Sequence, residues 1–427
     1  MAFFPQIQPM LNRTRTLLAP QLAREERGTF RLHILSAVMM AVAWGVLVNH
    51  EYIAAKGLGA SVWQITILTM IWPVSNFLSV FLTHWIDGRG CYSKAVLVGG
   101  LMRLPLGLML LSSSVNVMLG LLLLFFASNS VVIPVQNAII RHRYKRGHRG
   151  SLFGWSMSVR NLISLPSSML VGALLDVDFD LYRIAFLVEA LFGAGQAFFF
   201  AAMARGMRAS PRLEHAGKGV AHFFGSLWRV FNRDREFARF ECYFMLYGIA
   251  FQAVLPAIPF FARDQLGLSY EQYATAKGVI GQLGLVFLGP FLGAKVERIH
   301  PFRFTGIIVL VLALYPLVMA AGGWLPSIGI FLFYASYCFF AIGIAGINVS
   351  WNLSSMSFAP SDQAATYQGL HVTATALRGL FAPILGSQIL QHLGYTAPFI
   401  FSTCLFALSG MLFLGRYARR REAGLVD

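Results

Sequence analysis

The sequence predicts an all-α polytopic membrane protein, with twelve transmembrane helices arranged as two pseudo-symmetric six-helix bundles. Three observations predict it. The chain of 427 residues is 57% hydrophobic and only 12% charged, against about a quarter charged in soluble domains. Apolar runs of the roughly 20 residues that a helix needs to cross a bilayer recur along nearly the whole length, without the period-2 alternation of a membrane barrel. One long polar segment interrupts them midway.

Residues 1–31 carry Pro5, Pro9, Pro20 and mixed charges. They lack the apolar core and small-residue cleavage site of a signal peptide and form a cytoplasmic N-terminal segment. Twelve apolar runs follow, at 32–50, 63–83, 95–113, 116–139, 152–175, 183–204, 238–261, 271–293, 303–321, 327–350, 366–390 and 396–415. The first six make a bundle over 32–204. The segment 205–237 is a cytoplasmic linker whose start, "RGMRASPRLEHAGKG", is basic and rich in helix breakers. Further on, Phe223, Phe224, Leu227, Trp228 and Phe231 recur at helical spacing beside Arg229, Arg233 and Arg235. That pattern suits an amphipathic helix on the membrane surface, and equally an extension of span seven. The second bundle covers 238–415, and 416–427 form a cytoplasmic tail.

The net charge of +16 follows from topology. Of the Lys and Arg residues, 27 fall in the termini and the loops after even-numbered spans, three (Lys56, Arg183, Arg263) fall on the opposite side, and four fall inside spans. This positive-inside bias places both termini in the cytoplasm, in a bacterial inner membrane, and accounts for the charge without nucleic acid. The densest basic loop, "RHRYKRGHR" (141–149), reads as an anchor beside anionic headgroups. Cys91, Cys242, Cys338 and Cys404 are isolated and read as packing residues, so no metal or cofactor is expected. "DVDFD" (176–180) lacks the glycine and distal glutamate of a calcium loop and reads as a solvated outer turn. P-loop, H-E-x-x-H and G-x-S-x-G patterns are absent, which argues against an enzyme.

The turns after spans two and eight, "THWIDGRGCYSKA" and "GPFLGAKVERIHPFR", each set an acid at a span end ahead of basic residues. With six spans, a basic linker and six more spans, the chain resembles the major facilitator superfamily of secondary transporters over nearly its whole length. Asp87, Gly88, Arg89, Gly90 and Lys94 resemble the family's loop between spans two and three. Gly293, Glu297, Arg298 and Arg303 match the second copy more loosely. The first motif departs from the usual order, since Gly88 precedes Arg89. Span four lacks the arginine of many proton-driven antiporters, and span five lacks the glycine run of drug antiporters. The resemblance implies gating by these motifs at the cytoplasmic end. It also implies a central cavity lined by spans one, four, seven and ten and flanked by two, five, eight and eleven.

Arg103, Arg160, Glu189, Lys277 and Arg378 lie inside spans, where a central Arg or Lys costs roughly 2.5–3.5 kcal/mol even on the low estimates. On the implied fold, Arg160, Lys277 and Arg378 lie near the cavity and are candidate substrate ligands. Arg103 and Glu189 belong to supporting helices, and Arg103 reads as structural, either paired with Glu189 or snorkelling. Asn129 and Arg160 are 31 residues apart, and Asn348 and Arg378 are 30 apart, so each pair sits at one depth of its hairpin. A structural Arg–Asn pair is the competing reading. Trp44, Asn49, Tyr247, Gln252, Trp351 and Asn352 complete the candidate lining, although each alone is equally a helix contact. His371 is either a titrating group or a packed neutral imidazole. Three cations stand against no well-placed acid, with Glu51, Glu189 and Glu241 all read as badly placed, and this points to a small anionic organic solute. The rivals are proton-coupled efflux of cationic or amphipathic compounds, and a receptor or assembly factor of the same fold without transport. The expected partners are the bilayer, a small-molecule substrate and a coupling proton or cation, with the protein working as a monomer.

Overall fold

Two short segments 208 residues apart start the second helix of each half in the same way. In "LGASVWQ" (58–64) and "LGLSYEQ" (266–272), a glycine takes a left-handed turn, at φ 68° for Gly59 and 61° for Gly267. Two residues later Ser61 or Ser269 accepts from the backbone of Gln64 or Gln272, whose side chain accepts from the serine N–H in return. Each such capping box satisfies two otherwise orphaned donors. Only glycine adopts the turn without strain. Ahead of each lies a π-helical turn, Ile53–Gly57 and Phe261–Gln265.

The computed structural model describes residues 24–424 apart from 146, 208–224, 226–228, 289–290, 293–298, 354–355 and 361–363. Among these residues all regular structure is helical. The helices, in order, are α1 (Glu26–Gly57), α2 (Val62–Arg89), α3 (Tyr92–Leu111), α4 (Val115–Arg143), α5 (Arg149–Val177), α6 (Phe179–Met203) and α7 (Arg235–Gln265). Then come α8 (Tyr270–Ala274, Thr275–Ile280 and Gly281–Phe287 in succession), α9 (Pro301–Trp324), α10 (Pro326–Trp351), α11 (Ala364–Leu393) and α12 (Ala397–Glu422). Nine of the described helices are long and apolar enough to cross a membrane. Most of the expected surface helix before α7 falls outside the described residues. Of its apolar face, Phe231 packs beside Val230 against Phe237, Tyr367 and Leu370.

Both halves use one packing plan. Helix α1 lies on α5 and α6 as α7 lies on α11 and α12, α3 lies on α6 as α9 lies on α12, and α2 lies on α4 as α8 lies on α10. The halves meet where α5 packs on α8 and α2 on α11. Small residues let these backbones approach. A Cβ added at Gly278 of α8 would stand 2.2 Å from Ser168 Oγ of α5, and one at Gly379 of α11 would stand 2.3 Å from Pro73 Cβ of α2.

Three expectations change. Cys242, Cys338 and Cys404 are exposed and Cys91 is half-exposed, so they are not core packing residues. The loop 141–149 is folded onto α1: Glu26 accepts from the Lys145 N–H at 2.9 Å and meets His148 Nδ1 at 3.2 Å. Tyr144 is buried there against His33, at 3.1 Å, and burial, with the Glu26 charge, pushes its phenol up. "DVDFD" is more than a solvated turn. The Asp176 carboxylate accepts from the Tyr270 and Glu271 N–H groups at 2.8 Å, which caps α8 of the other half.

Candidate transport site

Among the described residues, the hydrogen bonds that join the two halves gather at the end away from the basic loops. Tyr52 and Lys56 of α1 both donate to the Leu268 carbonyl at 2.5 Å. Arg263 of α7 donates to the Ala55 carbonyl and forms an ion pair with Asp264. The two π-helical turns thus exchange donors: each presents a cation to the backbone of the other half. With Asp176 capping α8, this end of the protein is shut.

Deeper on the same interface, Lys277 of α8 forms an ion pair with Glu51 of α1, and the Tyr273 hydroxyl donates to the same carboxylate oxygen at 3.4 Å. Glu51 is therefore not badly placed. It neutralises one of the three cations from which an anionic solute was inferred, so that inference now rests on Arg160 and Arg378.

Arg160 on α5 is half-buried. Its guanidinium lies 5.7 Å from the Trp44 ring of α1, and its hydrogen bonds go to Asn161 Oδ1 at 3.1 and 3.2 Å. Trp44 in turn meets the edge of Trp72 on α2, at 6.1 Å. Among the described residues no carboxylate pairs with Arg160. A half-buried guanidinium with an aromatic wall and free donors can take a carboxylate or phosphate by two hydrogen bonds.

Arg378 is situated differently. It is 4% exposed, packs its guanidinium on Phe244 and Tyr247 at 5.2 and 5.4 Å, and donates to the Phe244 carbonyl at 2.8 Å. Its Nε is buried without a partner. Gly248 makes the room: a Cβ there would stand 2.0 Å from that Nε. Two helical turns nearer the basic end, His371 and Glu241 form a buried pair at 2.8 Å, and Trp351 lies at 5.5 Å from the imidazole and within 3.4 Å of Thr375 Oγ1. His371 is thus packed and paired, and Glu241 is engaged.

Arg103 takes the partner assigned to Arg160. It is 1% exposed and donates to Ser128 Oγ, the Gly193 carbonyl, Gln196 Oε1 and Asn129 Oδ1, all at 2.7–2.8 Å. Asn129 therefore belongs to the interior of the first bundle. Glu189 is held at 2.5 Å by His50, so the expected Arg103–Glu189 pair is not a direct ion pair.

A sequence profile described as Major Facilitator Superfamily matches residues 32–383. The chain belongs to that superfamily. Solved structures agree on the fold. The nucleoside transporter NupG, as a point mutant, superposes with TM-score 0.73 at 13% identity, covering 91% of this chain and 99% of that one. A mutant of the peptide transporter POT in complex with sulfate gives 0.72 at 16%, over 95% and 98%. The human organic anion transporter MFSD10 (TETRAN) gives 0.57 at 16%, over 92% and 100%. A comparison with curated protein sequences finds no match.

Membership in the superfamily makes the chain a transporter of solutes. The motif residues are only partly described. Arg89 and Lys94 are exposed, and Gly90 ends α2 in a left-handed turn at φ 61°. The side chains of Asp87 and Gly88 fall outside the described part, as do Gly293, Glu297 and Arg298. Of the other expected lining residues, Tyr247 is buried under Arg378, and Gln252 lies by the Gly379–Pro73 contact between α11 and α2. Asn49 is fully buried, donating to the Gly45 and Ser168 carbonyls at 2.9 and 3.3 Å. Asn348 is exposed on α10, and the hydrogen bond of Arg378 goes to Phe244 instead. The hairpin spacing therefore does not bring Arg160 to Asn129 or Arg378 to Asn348. The Asn352 side chain is outside the described part.

Sequence reasoning set Glu51 and Asp176 aside and did not single out Trp72 and Tyr273. The signal for the region was the repeated L-G-x-S-x-x-Q, which fixes the register of the halves at 208 residues and marks the hairpins that meet.

Proposed function

We propose that this protein is a secondary transporter that moves a small organic anion across a bacterial inner membrane by alternating access, with both termini cytoplasmic and the basic end facing the cytoplasm. The observation that carries the reading is Arg160, a half-buried guanidinium on an interface helix that stacks on Trp44 and has no acid paired with it among the described residues. On this reading Arg160 and the Trp44–Trp72 wall hold the charged and the flat parts of the solute, and Arg378 turns toward it as the halves move. On this reading the interface hydrogen bonds at the far end belong to an inward-facing conformation, and rocking of the two six-helix units about the site exposes it to the other side. The structural neighbours named for nucleosides, peptides and organic anions have small organic solutes in common.

The buried Glu241–His371 pair favours one rival, proton-coupled transport of a cation, because a carboxylate beside an imidazole can carry a proton. A thermal-shift series on the purified protein separates the two, since a ligand of the folded form raises its melting temperature. The probes are carboxylates and phosphates of increasing size, with size-matched neutral and cationic compounds. Anions are expected to stabilise the wild type and not Arg160→Ala, and Arg160→Lys is expected to respond weakly. If only cations stabilise, and Arg160→Ala responds as well as the wild type, the anionic reading is wrong.

A further inference from the structure

Glu51 leaves its own half of the molecule. It is carried by α1, yet its carboxylate is held by Lys277 and Tyr273 of α8. Lys277 also lies 5.7 Å from the Tyr273 ring centroid. The second bundle therefore presents one ammonium and one phenol from α8 at a single point. These groups are donors and suit an anion, and the first bundle supplies the carboxylate that they hold.

Opening this end of the protein separates α1 from α8, so Glu51 must withdraw. Lys277 would then be left uncompensated in a place where an unpaired charge is costly. A carboxylate from solution restores the pairing without restoring the bridge between the halves. Its binding and the opening of this end are then linked, because the free carboxylate and Glu51 compete for one cation.

We propose that Lys277 and Tyr273 form a carboxylate-binding subsite, which Glu51 occupies as a tethered ligand while this end is shut and a carboxylate of the solute occupies when it opens. This deepens the anionic reading and rests on it for the transported solute. Binding itself is tested without any transported compound, so the two fail separately.

Removing the tethered ligand exposes the subsite. The melting temperature of purified Glu51→Ala is measured in sodium acetate and in sodium chloride at equal ionic strength. Acetate is expected to raise it by about 2 °C or more over chloride. Any shift that acetate gives through Arg160 is common to all of these proteins, so the wild type, whose Lys277 site is filled, and the double variant Glu51→Ala with Lys277→Met are expected to shift by about 2 °C or more less than Glu51→Ala. Should Glu51→Ala not purify as a folded species, Glu51→Gln keeps the side-chain volume, removes the charge, and is read in the same way. The proposal is overturned if the folded Glu51 variant shows no acetate-specific shift, or if the double variant shows the same shift. Arg160 is untouched in all three proteins, so a negative result leaves its role standing.

Discussion

Arg103 and Arg160 are both arginines in apolar spans of the first bundle, and their surroundings are opposite. Around Arg103 the bundle has closed: three guanidinium nitrogens reach four acceptors on α4 and α6, and the side chain has almost no exposure. Around Arg160 it has not: the group is half-buried on α5, a helix that packs on the other half, leans on Trp44, and among the described residues bonds to the amide of its own neighbour. A charge saturated inside one rigid unit cannot respond to a moving partner. A charge with unused donors where two units separate can. The number of partners a charge has within its own half, more than its depth in the membrane, separates structure from transport here.

The comparison can be broken first at its structural pole. Arg103→Leu removes all four hydrogen bonds and leaves buried acceptors empty, so a loss of about 3 kcal/mol or more is expected. It should be seen as a collapse of monodisperse yield and of melting temperature in detergent. If Arg103→Leu melts within a degree of the wild type, saturation is no guide to structural role.

A smaller effect is expected at the hinge of the interface. Gly278→Ala forces a Cβ toward Ser168 Oγ, for which the backbones of α5 and α8 have no room, and overpacking of this kind costs about 1–3 kcal/mol. Because the strain exists only while this end is shut, the variant should favour the open form. A single cysteine in place of Ala55, which is buried beneath the Arg263 contact, in a cysteine-free background, should then label faster with an impermeant thiol reagent. Unchanged labelling would mean that the α5–α8 contact does not gate.

The capping boxes give a finer measurement. Ser61→Ala and Ser269→Ala each remove one cap, for about 1 kcal/mol, and pseudo-symmetry predicts equal losses of melting temperature. A much larger loss at Ser269 would show that Asp176, which caps the same helix from the other half, depends on that turn.

The smallest expected change in stability is the one that sharpens the contrast most. Arg160→Ala should shift the melting temperature of the ligand-free protein by under about 1 kcal/mol equivalent, because it breaks no bond to another helix, while abolishing stabilisation by anions. Arg160→Ala that unfolds as readily as Arg103→Leu would return Arg160 to a structural role.

By itself the sequence determined the all-helical membrane plan and the superfamily, and it predicted twelve spans divided at the linker. The physics there is one-dimensional: a helix in lipid must satisfy its own backbone, so the length and spacing of apolar runs, and the sidedness of 27 basic residues, are written along the chain. It also contained L-G-x-S-x-x-Q twice, whereas the Asn–Arg spacing in each hairpin did not bring the two side chains together. Depth was legible and direction was not. A span residue can point to its own bundle, to the interface or to lipid, and a rotation of 100° per residue separates these at the same depth. Tertiary structure therefore decided that Asn129 serves Arg103, that Glu51 crosses to Lys277, that Glu241 holds His371, and that Arg160 alone of these charges faces the seam without an acid. Pairing depends on which helix faces are brought together, and that is settled only when the bundles pack.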